Sequence, residues 1–169
     1  MELLCEEHAQ ELFTLTDINR EYLRNWLPWL DLTNSVEDTL SFIKTSEKQY
    51  KEGHGPQYAL KYNGFVCGVN GFHKIDKLNK IGSIGYWLGE SYTGKGIITS
   101  STKEMLKAGF KDYALHKIEI HCAEKNKKSR AIPERLGFTF EATLRDCELL
   151  NKGYVSHAIY SLLESEYNA

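Results

Sequence analysis

The sequence predicts a mixed α/β fold in which one crossover joins strands near the middle of the sheet. Three observations lead to this class: helical periodicity dominates the first third, two apolar runs flank Asn63-Gly64, and strands then alternate with helices. An Asn-Gly pair between apolar runs is the preferred turn of an antiparallel hairpin. A strand–helix–strand unit instead brings its two strands into parallel pairing, so both kinds of pairing are expected in one sheet.

Three helices are expected in the first third of the chain. The second begins near Asn19 and ends before Pro28, because proline lacks the N–H that a helix interior needs. The third begins after Ser35, a suitable N-cap with acidic residues behind it, and ends at Gly53. The first helix follows from the helical spacing of four apolar residues, Ala9, Leu12, Phe13 and Leu15.

Three runs in the middle of the chain have the length and composition of strands, and they cover residues 58–62, 65–72 and 81–88. The polar residues between the last two runs are expected to form a loop. Gly82 and Gly85 lie inside the third run, where glycine indicates a bend or a close approach to the backbone.

Helices and strands alternate in the second half. The predicted elements are a helix over 97–113, a strand over 117–123, a helix over 129–136 and a hairpin over 138–163. Ile118, Ile120 and Cys122 share one face of the strand. Pro133 is expected near the first turn of the short helix, and Gly137 is expected to cap its end.

Length and composition limit the class of protein. The 169 residues, 41% hydrophobic and 26% charged, suffice for one domain and not for two, so a single domain over 1–169 is predicted. A net charge of -2 offers no basic field, so nucleic acid is not an expected partner. The start lacks a signal-peptide pattern and no apolar stretch approaches the roughly 20 residues that span a bilayer, so a cytoplasmic protein with no membrane partner is expected.

Cysteine and histidine spacing predicts neither disulfides nor a metal site. The six histidines form no pair at i,i+4 spacing and no cluster with acids, so no metal ligand is predicted. The sequence also lacks a Gly-x-Ser-x-Gly elbow, which argues against a hydrolase. The four cysteines lie far apart and are expected to be buried, reduced thiols: Cys5, Cys67, Cys122 and Cys147.

A glycine-bearing turn, Gly94-Lys95-Gly96, separates the third middle strand from the helix that follows. The first turn of a helix presents free N–H groups and the positive end of the helix dipole, and glycine lets an anion approach the backbone. The segment therefore predicts a phosphate or pyrophosphate site, with a plain tight turn as the alternative. Lys95 either adds positive charge or is a solvated loop residue. The P-loop and dinucleotide glycine patterns are absent, because Thr99 follows Ile97-Ile98 and is not glycine.

A second segment, Asn126–Phe138, comes just after the strand that follows this helix. Ligands of α/β sheets bind where neighbouring strands part at their carboxyl ends, so the two segments are expected at one place. Together they resemble the GNAT N-acetyltransferase superfamily, in which the glycine turn is the pyrophosphate loop and Asn-x-x-Ser…Leu-Gly-Phe is a second cofactor motif. Three more stretches, 25–30, 84–88 and 151–157, are similar to its RimJ/RimL branch of ribosomal-protein N-terminal acetyltransferases.

The resemblance implies the GNAT fold, a mostly antiparallel twisted sheet with helices on both faces and a splayed central strand pair. It also implies acetyl-CoA as co-substrate, no metal, and direct attack of a neutral amine on the thioester. Two catalytic groups are implied: a backbone N–H at Leu88 that faces the thioester carbonyl, and the Ser129 hydroxyl as acid for the sulfur. The implied cofactor-binding residues are Trp87, Leu88, Gly94, Lys95, Gly96, Ile97, Ile98, Thr99, Asn126 and Ser129.

Several positions depart from the superfamily pattern. Thr93 stands where Arg or Gln is usual, Ile98 where Gly or Ala is usual, and Ser156 where the branch often has aspartate. Thr93 is expected to weaken one phosphate contact, and the first family strand is expected to be very short. Without the resemblance, Ser129 would be interpreted as an N-cap and Asn126 as a turn residue.

The sequence leaves the general base open. An α-amine with a pKa of about 8 can also react without a base. Trp26 and Trp29 either pack in the core or form a wall of the acceptor groove. Four side chains are candidate bases, each of which could equally be a surface charge: Glu90, Glu119, His121 and Glu141.

Three functions are compatible with the sequence. The first is acetylation of the N-terminal α-amine of a ribosomal or other protein, which needs a groove open to an extended peptide. The second is acetylation of a small amine such as a polyamine or aminoglycoside, which needs a closed pocket lined by several carboxylates. The third, suggested by Thr93 and Ser156, is a CoA-binding protein without catalysis. Members of the branch are often dimers, so a homodimer is a further expectation.

Overall fold

The computed structural model describes residues 1–167, and residues 168 and 169, the end of the predicted domain, lie outside the described part. Its strands are β1 (Glu2–Leu3), β2 (Gln57–Tyr62), β3 (Phe65–Asp76), β4 (Ile81–Leu88), β5 (Lys117–Ala123), β6 (Thr139–Leu150) and β7 (Gly153–Leu163). They form one sheet in the order β1–β2–β3–β4–β5–β7–β6. β4 and β5 pair in parallel and the other neighbours pair antiparallel, which confirms the predicted mixed sheet.

The helices of the described residues are α1 (Ala9–Ile18), α2 (Arg20–Leu23), α3 (Val36–Lys51), α4 (Ile97–Lys107) and α5 (Lys127–Arg135). A 3₁₀ helix over Pro28–Leu32 precedes α3, and a π-helical turn over Ala108–Asp112 extends α4. Ser35 caps α3 as predicted. Its Oγ accepts from the Asp38 N–H at 3.3 Å, and the Asp38 carboxylate accepts from the Ser35 N–H at 2.9 Å. This reciprocal pair satisfies donors that the start of a helix leaves free.

The predicted hairpin turn joins β2 to β3. Asn63 and Gly64 have φ of 52° and 85°, the left-handed backbone that a two-residue hairpin turn requires. β3 is longer than predicted, because Lys74–Asp76 continues to pair with β4 beyond a bulge after Phe72. The bulge and the polar composition beyond it hid this extension from the sequence pattern.

Helices cover both faces of the sheet, as predicted. Successive strand residues point to opposite faces, and Ala59 and Leu60 of β2 show which helices lie on each. Ala59 belongs to a buried cluster with Leu12 of α1 and Ile43 of α3. Leu60 belongs to a different cluster with Ile98 of α4. The glycine turn that begins α4 is therefore held on the face opposite to α1 and α3.

The short helix α5 differs from the prediction at its start. It begins at Lys127, and its N-cap is Asn126, whose Oδ1 accepts from the Ser129 N–H at 3.1 Å. Ser129 therefore lies in the first turn, and Pro133 lies in the helix interior. Pro133 has no N–H for the Ser129 carbonyl four residues earlier, and this carbonyl instead accepts from the Tyr86 hydroxyl of β4 at 3.0 Å. Gly137 has φ of 81° and follows the helix as predicted.

The cysteines are free, but the prediction that all four are buried is wrong. Cys67 and Cys122 are buried, Cys5 is half-buried, and Cys147 is exposed. Cys147 lies on β6, the edge strand of the sheet, where little protein covers either face. Across the described residues, none of the helices has the length and apolar character needed to cross a membrane.

Candidate functional site

β4 and β5 stay paired over only the first half of each strand. The last paired residues are Ile84 and Ile120, after which β4 continues to Leu88 beside β3, and β5 continues to Ala123 beside β7. The carboxyl ends of these parallel strands therefore part, which confirms the predicted splay. A cavity of about 1000 Å³ lies at this gap, the place where α/β sheets commonly bind ligands.

The parting of the strands leaves a backbone donor of Leu88 uncovered. Gly68 of β3 lies opposite Leu88, and the Gly89 N–H donates to the Cys67 carbonyl at 2.9 Å. Leu88 and Gly68 are therefore a non-hydrogen-bonded pair, in which each N–H points away from the partner strand. The Leu88 N–H is thus directed to the side that β5 has left. Trp87 and Val69 form the alternate, hydrogen-bonded kind of pair, so the Trp87 N–H donates to β3.

Gly94 and Gly96 give the turn before α4 its shape. Their φ angles of 78° and 76° are left-handed, and residues with a side chain rarely adopt them. Gly96 is the N-cap of α4, so the first N–H groups of the helix have no acceptor within it. A Cβ at either glycine would meet no protein atom within 4 Å, so the space in front of the turn is open. This geometry suits an anion.

Two cations lie beside this turn. The Lys95 Nζ is 5.4 Å from the centre of the Tyr62 ring, so a cation–π contact holds the lysine. Arg135 of α5 donates to Thr99 Oγ1 at 3.0 Å, which ties α5 to the first turn of α4. Lys95 and Arg135 both line the cavity, and both add positive charge near the N-terminus of α4. Thr93 also lines it, although its hydroxyl donates to the Glu90 carbonyl at 2.8 Å.

The Ser129 hydroxyl is oriented by a group of polar atoms between β4, β5 and α5. It donates to Cys122 Sγ at 3.2 Å, while the Ser129 carbonyl accepts from Tyr86. Burial raises the pKa of the Cys122 thiol and raises that of the Tyr86 hydroxyl well above its ordinary value, so both stay protonated. Ser129 therefore presents its proton to a sulfur atom at the gap between the strands.

Aromatic side chains form the wall of the cavity opposite to α5. Trp26 and Trp29 both line it, and both are half-buried, so they form a cavity wall and are not core residues. The Trp29 ring lies 6.0 Å from that of Trp87, which seats the 3₁₀ helix against the end of β4. Across the cavity, the Lys128 Nζ lies 5.6 Å from the centre of the Tyr22 ring.

Sequence reasoning did not single out three polar residues that line the cavity: His73 of β3, Glu148 of β6 and His157 of β7. His157 Nε2 lies 3.0 Å from Glu148 Oε2. The ring of His73 lies against Gly85, where a Cβ would overlap with His73 Nε2, so the close approach predicted at this glycine is present. No local sequence pattern marked Glu148 and His157, because the register of β6 against β7 shifts between Leu144 and Glu148.

The predicted base candidates are dispersed. His121 lines the cavity and contacts Glu119 Oε2 at 3.0 Å, but Glu119 also binds Lys117 at 2.7 Å. Glu141 accepts from the Ser161 hydroxyl away from the cavity lining, and Glu90 is exposed. In contrast, the ten predicted cofactor-binding residues all line the one cavity, from Trp87 and Leu88 through 94–99 to Asn126 and Ser129.

The site thus combines a splayed mixed sheet with a glycine turn at the gap whose geometry suits an anion. A family model described as an acetyltransferase (GNAT) domain matches residues 1–139. The chain belongs to this family of enzymes, which confirms the resemblance seen in the sequence.

Two relatives bear names that point to ribosomal acceptors. YdaF of Bacillus subtilis (strain 168), provisionally named a ribosomal N-acetyltransferase, is 33% identical over 166 residues, which are 98% of this chain and 91% of that protein. The ribosomal-protein-serine acetyltransferase of Escherichia coli (strain K12) is 29% identical over 158 residues, which are 94% of this chain and 88% of that protein.

Two solved structures share the whole fold. The microcin C7 self-immunity acetyltransferase MccE, in complex with acetyl-CoA and AMP, has a TM-score of 0.90 at 32% identity over 95% of this chain and 89% of that chain. RimL, a ribosomal L7/L12 α-N-protein acetyltransferase in complex with coenzyme A, has a TM-score of 0.92 at 27% identity over 96% of this chain and 92% of that chain.

Proposed function

We propose that this N-acetyltransferase uses acetyl-CoA to acetylate the N-terminal α-amine of a protein, with a ribosomal protein as the first acceptor to test. The observation that carries the proposal is the Gly94–Gly96 turn at the parting of β4 and β5. It combines an anion site with an uncovered backbone donor in one cavity.

The residues at this cavity fit acetyl-CoA as donor. The N–H groups at the start of α4, with Lys95 and Arg135 beside them, suit a pyrophosphate. The gap between β4 and β5 offers room for an extended arm that ends near Ser129 and Leu88. Acetyl-CoA would supply the activated acetyl group as a thioester. MccE and RimL, solved with acetyl-CoA and coenzyme A, support this choice of donor.

Two groups of the chain would act on the thioester. The Leu88 N–H would donate to its carbonyl oxygen, where negative charge develops as the amine attacks. The Ser129 hydroxyl, which donates to the Cys122 sulfur at 3.2 Å, would instead donate to the departing sulfur. Both are preoriented by neighbouring backbone and side chains, so little reorganisation is needed during the reaction.

The charges of the cavity favour a peptide N-terminus over a polyamine. Among the described residues that line it, Glu148 is the only carboxylate, whereas Lys95, Lys103, Lys128 and Arg135 are cations. A site for a polycation needs several carboxylates, and this lining offers one. The aromatic wall at Trp26 and Trp29 provides flat apolar surface for an extended chain. The ribosomal names of YdaF and the Escherichia coli enzyme support the same class of acceptor.

A second candidate is a small-molecule amine. The resemblance to MccE, a microcin C7 self-immunity acetyltransferase, at 32% identity favours it. Such an acceptor would need to fit the same apolar wall and single carboxylate.

Release of the CoA thiol tests these acceptors. The purified protein would be given acetyl-CoA with ribosomal N-terminal peptides, their Nα-blocked forms, spermidine and an aminoglycoside. We expect thiol release with free N-termini, and mass spectrometry should locate the acetyl group on the α-amine. Release with the blocked peptides or with spermidine alone would contradict the proposed acceptor. A thermal shift with acetyl-CoA but no thiol release from any amine would indicate binding without catalysis.

The remaining expectations are also proposals. We propose that residues 1–169 work as one N-acetyltransferase domain and that the protein meets its acceptor in the cytoplasm, where ribosomal proteins are made. The homodimer expected from the resemblance can be tested by the sedimentation of the purified protein.

A further inference from the structure

His157 of β7 and Glu148 of β6 form a pair on the acceptor half of the cavity. His157 Nε2 lies 3.0 Å from Glu148 Oε2, and the two side chains are 17% and 28% exposed. Both line the cavity, yet neither belongs to the donor site. We propose that His157 is the general base that takes the proton of the acceptor amine, with Glu148 as its positioning residue. This inference rests on the proposed function.

The contact with Glu148 decides which nitrogen of His157 can accept a proton. An ionised carboxylate only accepts hydrogen bonds, so the neutral imidazole must carry its hydrogen on Nε2, where it faces Glu148. Nδ1 is then the nitrogen with a free lone pair. Uptake of a proton on Nδ1 leaves the contact of Nε2 with Glu148 in place, so the carboxylate keeps the ring oriented, as an orienting acid does for a catalytic histidine.

A second imidazole–carboxylate pair, His121 with Glu119, has the same separation but different surroundings. Glu119 also binds the Lys117 ammonium at 2.7 Å, so this carboxylate is shared between two partners. The His121 side chain is 38% exposed, against 17% for His157. Within the described residues, His157 is the ion-pair partner of Glu148, whose charge is therefore available to it.

Other titratable groups line the same cavity. Burial of its ring lowers the pKa of His73, and the nearby His121 lowers it further. His73 therefore stays neutral and accepts a proton less readily than an exposed histidine. Tyr86 and Cys122 hold their protons, and Lys128 lies over the Tyr22 ring. The groups that can influence the pH dependence of the pair are Tyr22, His73, Tyr86, His121, Cys122 and Lys128.

The proton balance of the reaction is complete with this assignment. The N–C bond forms and the thioester C–S bond breaks. The amine nitrogen loses one proton to His157 Nδ1, and the departing sulfur gains one from Ser129. His157 then releases its proton to solvent, and Ser129 recovers one from solvent. Glu148 keeps its charge throughout.

The test compares His157→Ala and Glu148→Gln with the matched variants His121→Ala and Glu119→Gln, on an N-terminal peptide that the wild type acetylates. We expect His157→Ala to lower kcat roughly 100-fold, the lower end of general-base effects. The KM and thermal shift for acetyl-CoA should be unchanged. Added imidazole should restore part of the lost kcat, more so as pH rises and more of the imidazole is unprotonated. Glu148→Gln should lower kcat less, and the His121 and Glu119 variants should neither match these losses nor respond to imidazole.

Two results would overturn the assignment. One is a wild-type kcat in folded His157→Ala, and the other is an equal loss with equal imidazole rescue in His121→Ala. If His157→Ala does not fold, His157→Gln replaces it and should show the same loss of kcat. A wild-type protein that acetylates no N-terminus would instead overturn the proposed function, so the two failures are distinguishable.

Discussion

Ser129 illustrates how neighbouring atoms give a residue its role. Its N–H binds the Asn126 side chain, its carbonyl accepts from Tyr86, and its hydroxyl donates to the Cys122 sulfur. The sequence predicted that Asn126 and Ser129 are important, and the structure brings both to the cavity. The interpretation of Ser129 as the N-cap of α5 is wrong, because serine and asparagine are both favourable N-caps and the choice depends on where the chain leaves β5.

Ser129→Ala should lower kcat roughly 100-fold with little change in the Kd of acetyl-CoA, because the hydroxyl would act only as the sulfur departs. Steady-state kinetics and calorimetric titration with acetyl-CoA would check both quantities. Ser83→Ala is the control, since Ser83 lines the same cavity from β4 and should keep most of its turnover. Unchanged kcat in Ser129→Ala would remove this serine from the mechanism.

At the scale of elements, sequence patterns predicted most helices and strands because these patterns are local. The alternation in β5, the cap of α3 and the turn between β2 and β3 each depend on a few adjacent residues. The two errors in the predicted elements, the length of β3 and the start of α5, also have physical causes. A bulge after Phe72 shifts the register of β3, and the carbonyl that Pro133 leaves free is satisfied by Tyr86, so α5 tolerates proline in its interior.

Gly96→Val should raise the Kd of acetyl-CoA at least about tenfold. The substitution projects a side chain into the proposed anion site, and a tenfold rise in Kd corresponds to about 1.4 kcal/mol. The strain of a left-handed backbone, roughly 1–3 kcal/mol, should lower the thermal stability. Gly137→Val is a matched control, because Gly137 has φ of 81° and is equally open, but does not line the cavity. Both variants should lose similar thermal stability. Equal affinity of the two for acetyl-CoA would contradict the assignment of the turn.

At the scale of the whole molecule, one hydrogen bond links β4 to α5 across the gap in the sheet. The Tyr86 hydroxyl donates to the Ser129 carbonyl at 3.0 Å. This contact joins the strand that carries Leu88 to the helix that carries Ser129. It should therefore help to hold the two proposed catalytic groups at a constant separation.

Tyr86→Phe should lower the free energy of unfolding by about 1–3 kcal/mol, because it leaves the Ser129 carbonyl without a partner. In the Pro133→Ala background the loss should be smaller, since alanine at this position would supply the helical N–H that proline lacks. Urea unfolding of the four proteins in this double-mutant cycle measures the coupling. Additive effects would mean that the two residues do not share this carbonyl.

The sequence by itself determined the order and kind of most elements and singled out the residues of the proposed donor half of the cavity. Glycine turns, caps and periodicity act over a few residues, and the donor half lies largely within 87–99 and 126–129. Only the tertiary structure decided which side chains line the proposed acceptor half. It gathers side chains from β3, β5, β6 and β7, and the bulges of β3 and β6 set which of them share the cavity. Such registers depend on packing between distant segments, so no local pattern reveals that His157 meets Glu148 there.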